Sequence, residues 1–198
     1  MEEVNERKLN EKESLELITN MIRNTRQRLE EGSGTMFLIW GYVTIIVTMV
    51  VWAMVSYTGN YRLQFFWFLL PILGYTISFF YKKQRAMKPR ATTYIDRVIS
   101  YIWIVLGIAG FLLSVISIMH RLPILFIIVL IMGIGITISG LILNFRPLVI
   151  SGALGMATSI VLTFLSWNLQ LPVFAFIFLF MTVIPGHYLN YKAKGRNV

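Results

Sequence analysis

The chain contains no cysteine. That single absence excludes disulfides, thiolate metal sites, thioether-linked haem, palmitoylation and a cysteine nucleophile, and it leaves the redox compartment undetermined. Acid is almost as scarce. Of nine Asp and Glu residues in 198, eight fall at or before Glu31, so Asp96 is the only carboxylate side chain beyond that point. Charged residues make up 14% of the chain and apolar ones 57%, against about 25% and about 45–50% in soluble domains. A soluble protein cannot cover its surface with so little charge, and a disordered chain would not carry this much Leu, Ile and Phe. The sequence reads as an integral membrane protein. No apolar h-region precedes Glu31, so a cleaved leader is not expected, and the helices themselves would serve as the targeting signal.

A hydrocarbon core about 30 Å thick needs roughly 20 apolar residues of helix. Six stretches meet that requirement, at 35–57, 63–81, 98–119, 122–143, 148–166 and 171–190, and none contains Lys, Arg, Asp or Glu. The joints are 58–62, 82–97, 120–121, 144–147 and 167–170, and four of these five hold little more than a turn. The expected fold is therefore all-α: a polytopic membrane protein with six transmembrane helices in antiparallel hairpins, preceded by a cytoplasmic amphipathic helix. Its expected divisions are an amphipathic helix and hinge over 1–34, the membrane domain over 35–191, and a short basic tail over 192–198. Thirteen Lys and Arg residues collect at one set of helix ends, whereas the other set has only Arg62 and Arg121. By the positive-inside rule both termini face the cytoplasm. The same rule accounts for the net charge of +9 without nucleic acid.

The first 31 residues behave differently. Asn10 with Glu13 resembles a capping box, and Leu15, Ile18, Ile22 and Leu29, with Leu17 and Met21 beside them, recur at helical spacing. Acids lead this helix and arginines close it, which suits the helix dipole. Gly32-Ser33-Gly34 is expected to break it just before the first span. The helix is too polar to cross a bilayer. It would lie on the anionic inner leaflet, or pack through residues 11–31 on a cytoplasmic protein partner or a second copy of the chain.

Few side chains in the spans offer chemistry. Small residues cluster in spans four and five (Gly133, Gly135, Thr137, Ser139 and Gly140, then Ser151, Gly152, Gly155 and Ser159), which suits either tight helix packing or a cavity. Pro71 and Pro185-Gly186 should kink or end their helices. The most polar set lies at the cytoplasmic rim: Asp96 and Arg97 entering span three, Asn144 and Arg146 in the turn after span four, and His187 ending span six. If these ends converge, one carboxylate, two guanidiniums and an imidazole would form an anion-binding pocket at headgroup depth. The alternative is ordinary interfacial anchoring. The Pro-Gly pair before His187 is expected to free its backbone and aim the imidazole inward. No catalytic or metal-ligating set is assigned and no cofactor is implied. His120 and His187 belong to opposite interfaces, no HExxH is present, and the spans hold no paired carboxylates.

Several short stretches, taken together, resemble an uncharacterised family of small bacterial membrane proteins common in the Bacteroidetes. They are Glu13-Ser14-Leu15 with Met21-Ile22, Trp40-Gly41-Tyr42, Thr93-Tyr94-Ile95-Asp96-Arg97, the 135–147 region, and Ile184-Pro185-Gly186-His187. The resemblance implies a six-helix inner-membrane protein, encoded in some cases beside a winged-helix regulator, and carries no activity with it. The leading functional expectation is a non-enzymatic protein that binds a lipid, amphiphile or protein partner at its cytoplasmic face. A small transporter with a path lined by spans four to six is the second reading. An enzyme acting on a lipid headgroup through His187 and Asp96 is the third.

Overall fold

A computed structural model describes residues 11–86, 94–120 and 122–194. Asn10, Lys88, Arg90, Arg121 and Arg196, which entered the capping and charge arguments, lie outside the described residues. Among those described there is helix and no strand: α1 (Glu11–Thr58), a 3-10 segment (Tyr61–Phe68) leading into α2 (Leu69–Ala86), α3 (Tyr94–His120), α4 (Ile124–Ile142), α5 (Arg146–Ser159), α6 (Trp167–Phe178) and α7 (Ile184–Lys194). Six stretches are long and apolar enough to cross a membrane: Gly34–Thr58, Tyr61–Gln84, Tyr94–His120, Ile124–Ile142, Arg146–Phe164 and Trp167–Lys192. Each overlaps one of the six expected from the sequence, because hydrocarbon thickness sets the length that an apolar helix must reach.

The centre is built by α1, α4, α5 and the last span. Fully buried Phe145, Phe174, Phe178, Ile136 and Leu189 anchor one apolar cluster, and Val47, Val51 and Leu171 anchor a second, with Trp67 and Leu125 touching both. The second span attaches chiefly to α1, and α3 attaches chiefly to α4, so both flank the centre.

The small residues of α4 and α5 are the seam between these helices. A Cβ on Gly140 would stand 2.7 Å from the Val149 amide nitrogen, and one on Gly133 would stand 2.9 Å from the Gly152 carbonyl oxygen. Gly155 faces Met181 instead, and Gly135 faces Leu106 and Trp103. Every one of these sites is occupied by a neighbouring helix, so here the spacing serves backbone approach.

The expected break at Gly32-Ser33-Gly34 does not occur: α1 runs unbroken for 48 residues. Gly34 is needed for contact, not for bending. A Cβ there would collide with the Asn190 side chain and stand 3.1 Å from the Gly186 carbonyl oxygen. Asn190 Nδ2 also donates to Thr35 Oγ1 at 3.3 Å. Gly41 repeats the arrangement two turns further on, beneath Thr182 and Val183. Glycine lowers helix propensity by only about 1 kcal/mol, and packing against the last span outweighs that at the Gly34 end.

Proline likewise bends the last span without ending it. The ring of Pro185 takes away the amide that would serve the Met181 carbonyl. A π turn over Leu179–Val183 precedes it, in which Ile184 N–H donates to Leu179. The Ser151 hydroxyl on α5 then shares its proton between the Leu148 carbonyl of its own helix at 3.0 Å and the Met181 carbonyl at 3.3 Å. Pro172 leaves the Asn168 carbonyl in the same position, and Trp52 Nε1 on α1 donates to it at 3.0 Å. At Met181, deep in the last span, lipid offers no water to satisfy a freed carbonyl, so a neighbouring helix does so. These two bonds tie the last span to α5 and α1.

The second span opens as a 3-10 helix of eight residues, longer than the usual three or four. Asn60 Oδ1 caps it by accepting from Arg62 N–H at 3.1 Å. Residues three apart eclipse in this geometry, and Phe65 stacks on Phe68 with ring centroids 6.3 Å apart. Pro71 falls in the first turn of α2, where its missing donor costs least.

Candidate functional site

Four of the five rim residues occupy helix ends, whereas His187, expected to end the last span, lies inside α7, which runs on to Lys194. Asp96 sits half-buried in the first turn of α3, where a carboxylate complements the helix dipole. Its carbonyl accepts the Ser100 hydroxyl at 2.8 Å. Arg97, beside it, is exposed. The next residues inward, Ile95, Ile99 and Trp103, pack against the apolar cluster that also holds Leu143, Phe145 and Leu189. Trp103 contacts Phe37 edge-on at 5.9 Å and donates to Ser139 Oγ at 3.2 Å. The start of α3, which packs on α4, thus borders the apolar floor that the α4–α5 turn shares with the last span.

Asn144 has a backbone reason to be where it is. Its φ is +50°, a left-handed conformation that asparagine tolerates better than most residues. The Phe145 N–H reaches back to the Gly140 carbonyl at 2.9 Å, and the Asn144 N–H to Leu141 at 3.1 Å. This is the Schellman pattern that closes a helix C-terminus. It sends the chain straight into α5, with Phe145 buried and Arg146 exposed.

Two residues outside the expected set come to this corner. Lys192 places its ammonium 5.4 Å from the centroid of the Phe145 ring, and the Tyr188 ring lies 5.7 Å from the same centroid. Lys192 had counted only toward the charge of the tail. A periodicity argument could have found it, because Tyr188 and Lys192 are four residues apart on one helix.

His187 does not turn inward. It is exposed, and its Nε2 shares a 2.8 Å hydrogen bond with the Tyr42 hydroxyl of α1, the rings meeting edge-on at 6.0 Å. Leu189, two residues on, is the one that faces the core. Pro185-Gly186 does not loosen this end, because Gly186 is pressed against Leu38 and the Gly34 carbonyl.

Six apolar helices with charge gathered at their ends make this a polytopic α-helical membrane protein. Comparison with known protein families, curated proteins and solved structures finds no match. The rim geometry therefore carries the functional argument by itself.

Proposed function

We propose that the protein is a non-enzymatic, multi-pass protein of a bacterial inner membrane that binds an anionic lipid headgroup or amphiphile at its cytoplasmic rim, in a sensor or accessory role. Its spans would form antiparallel hairpins with both termini cytoplasmic. The observation that carries the reading is the Lys192 ammonium over the Phe145 ring, with Arg146 exposed on the residue next to that ring and Tyr188 beside it. One cation over an aromatic ring and a second, exposed, on the residue next to that ring suit a phosphate at headgroup depth, each contributing about 1 kcal/mol near an anionic leaflet. Asp96 and Arg97, entering α3 on the other side of the floor, would bound the site. The kinship implied by the short Bacteroidetes-like patterns agrees with this assignment and stands as part of the same proposal. The packed seam between α4 and α5 favours binding at the rim over a transport path through those spans.

The test is lipid retention measured by native mass spectrometry from nanodiscs of mixed phosphatidylglycerol and phosphatidylcholine. The wild-type chain should keep phosphatidylglycerol selectively. Replacing both cations (Arg146→Gln with Lys192→Gln) removes about 2 kcal/mol, so retention should fall roughly 30-fold. Lys83→Gln, on an exposed residue at the end of α2, should leave it unchanged. Equal retention of both lipids, or no change in the double variant, refutes the reading.

A further inference from the structure

The unbroken α1 has a consequence of its own. At 1.5 Å per residue its 48 residues reach about 72 Å, so about 35 Å of helix precedes the span that begins at Gly34. Along this length runs a seven-residue repeat. Every seventh residue from Leu15 is apolar: Leu15, Ile22, Leu29, Met36, Val43, Val50 and Tyr57. Three further on from each come Ile18, Thr25, Gly32, Ile39, Ile46 and Ala53. No charged residue falls on either row, although the extension carries three Glu and three Arg between Leu15 and Glu31.

Such spacing is the a/d seam of a coiled coil. Over the span, where the chain has neighbours of its own, the seam divides. Toward its C-terminal half Ile46 is 60% exposed, Val50 49% and Tyr57 91%, with flanking Tyr42 and Met49 also exposed, whereas Val43 is buried and Ile39 packs on the protomer's own core. At the far end Leu15 is 64% exposed. Two stretches of different composition, one polar and one apolar, thus share a single frame across Gly32–Gly34.

We infer that α1 pairs with α1 of a second copy in a parallel, two-fold coiled coil running from the cytoplasmic extension into the membrane. Two chains inserted with the same topology present their extensions in parallel. In that register the flanking positions oppose Ser14 to Thr19, Met21 to Arg26 and Arg28 to Ser33 of the other copy, so no like charges meet. Glu13, Glu16, Glu30 and Glu31 fall on the outer positions of the heptad. A strict seven-residue repeat drifts about 20° per heptad on a straight helix, which a left-handed supercoil corrects. The two halves divide the work. Lipid supplies no hydrophobic drive between helices, so Gly32 and Ala53 on the seam serve close approach there. Water around the extension supplies the drive that the span lacks, through Leu15, Ile18, Ile22 and Leu29. This inference is independent of the headgroup site.

The chain's lack of cysteine makes the test direct. Single cysteines at Ile18 and Ile46, both on the seam, are oxidised in native membranes and resolved on a non-reducing gel. Both should convert most of the chain to a dimer band. Cysteines at Asn20, on the outer position of the extension, and at Ile108, on the exposed face of α3, should leave it monomeric. Cross-linking of Ile108→Cys as strong as that of Ile46→Cys would mean random collision and overturns the dimer. Cross-linking at position 18 without position 46, or at neither, also overturns it. The first outcome would confine pairing to the extension, and the second would leave that surface to lipid or to another protein.

Discussion

The α4–α5 seam makes a signed prediction about two glycines. A methyl group at Gly152 would stand 2.8 Å from the Thr137 amide nitrogen and 2.9 Å from the Gly133 carbonyl oxygen. Ordinary van der Waals contact begins near 3.4 Å, and both neighbours are backbone, which cannot rotate aside. The Gly152→Ala helices must therefore separate by about 0.5 Å or more, a disturbance of the overpacking kind that costs about 1–3 kcal/mol. Alanine returns about 1 kcal/mol in helix propensity, so the net loss is about 0–2 kcal/mol. Gly107 on α3 is the control, because a Cβ there meets nothing within 4 Å. Gly107→Ala keeps the propensity gain and loses no contact, so it should be neutral or more stable by up to about 1 kcal/mol. Thermal unfolding in detergent, followed by tryptophan fluorescence, reads both. A chain of this size shifts by about 2–4 °C per kcal/mol, so Gly152→Ala should melt up to about 8 °C below wild type and Gly107→Ala at or above it. A Gly152→Ala protein more stable than wild type, or a Gly107→Ala protein less stable than Gly152→Ala, refutes the seam.

The proline-released carbonyl of Met181 should show coupling in a double-mutant cycle. Ser151→Ala alone should cost about 0.5–1.5 kcal/mol in the same assay, and in a Pro185→Ala background, where an amide donor returns, most of that cost should vanish. Equal costs in both backgrounds would mean that the Ser151 hydroxyl does not serve the freed carbonyl. For orientation, cysteines at Asn60 and Asn168 should react with an impermeant maleimide in intact cells, while one at Gln84 should not. The reverse pattern would invert the topology.

Apolar length and the ends of charge were legible because lipid imposes those demands locally, on each segment alone. The six spans follow from runs without Lys, Arg, Asp or Glu, and the 3-10 opening of the second span lies within a run already read as helix. The rim was legible only in part. Asp96, Arg97, Asn144 and Arg146 stand at helix ends, as their places beside the apolar runs require, whereas His187 lies inside a helix that continues to Lys194. Which side chains share a neighbour depends on helix rotation and depth, and these are set by partners far away in the chain. Lys192 reaches the Phe145 ring because Tyr188 and Leu189 pack there, and His187 turns to Tyr42 because Leu189 takes the inward face.

By itself the sequence determined a helical, six-span membrane protein with its charge sorted to the helix ends, since each of those properties is a sum over neighbouring residues. Only the tertiary structure decided what the special residues do. Gly32-Ser33-Gly34 reads as a break in isolation, and it stays helical because Gly34 receives the last span at Gly186 and Asn190. Pro185 reads as a kink or an end, and its helix continues through a π turn, with the Ser151 hydroxyl of α5 at 3.3 Å from the carbonyl it releases. A glycine or a proline removes something from its own helix, a side chain or a donor. Whether the chain bends there or holds depends on which other helix is close enough to use the gap.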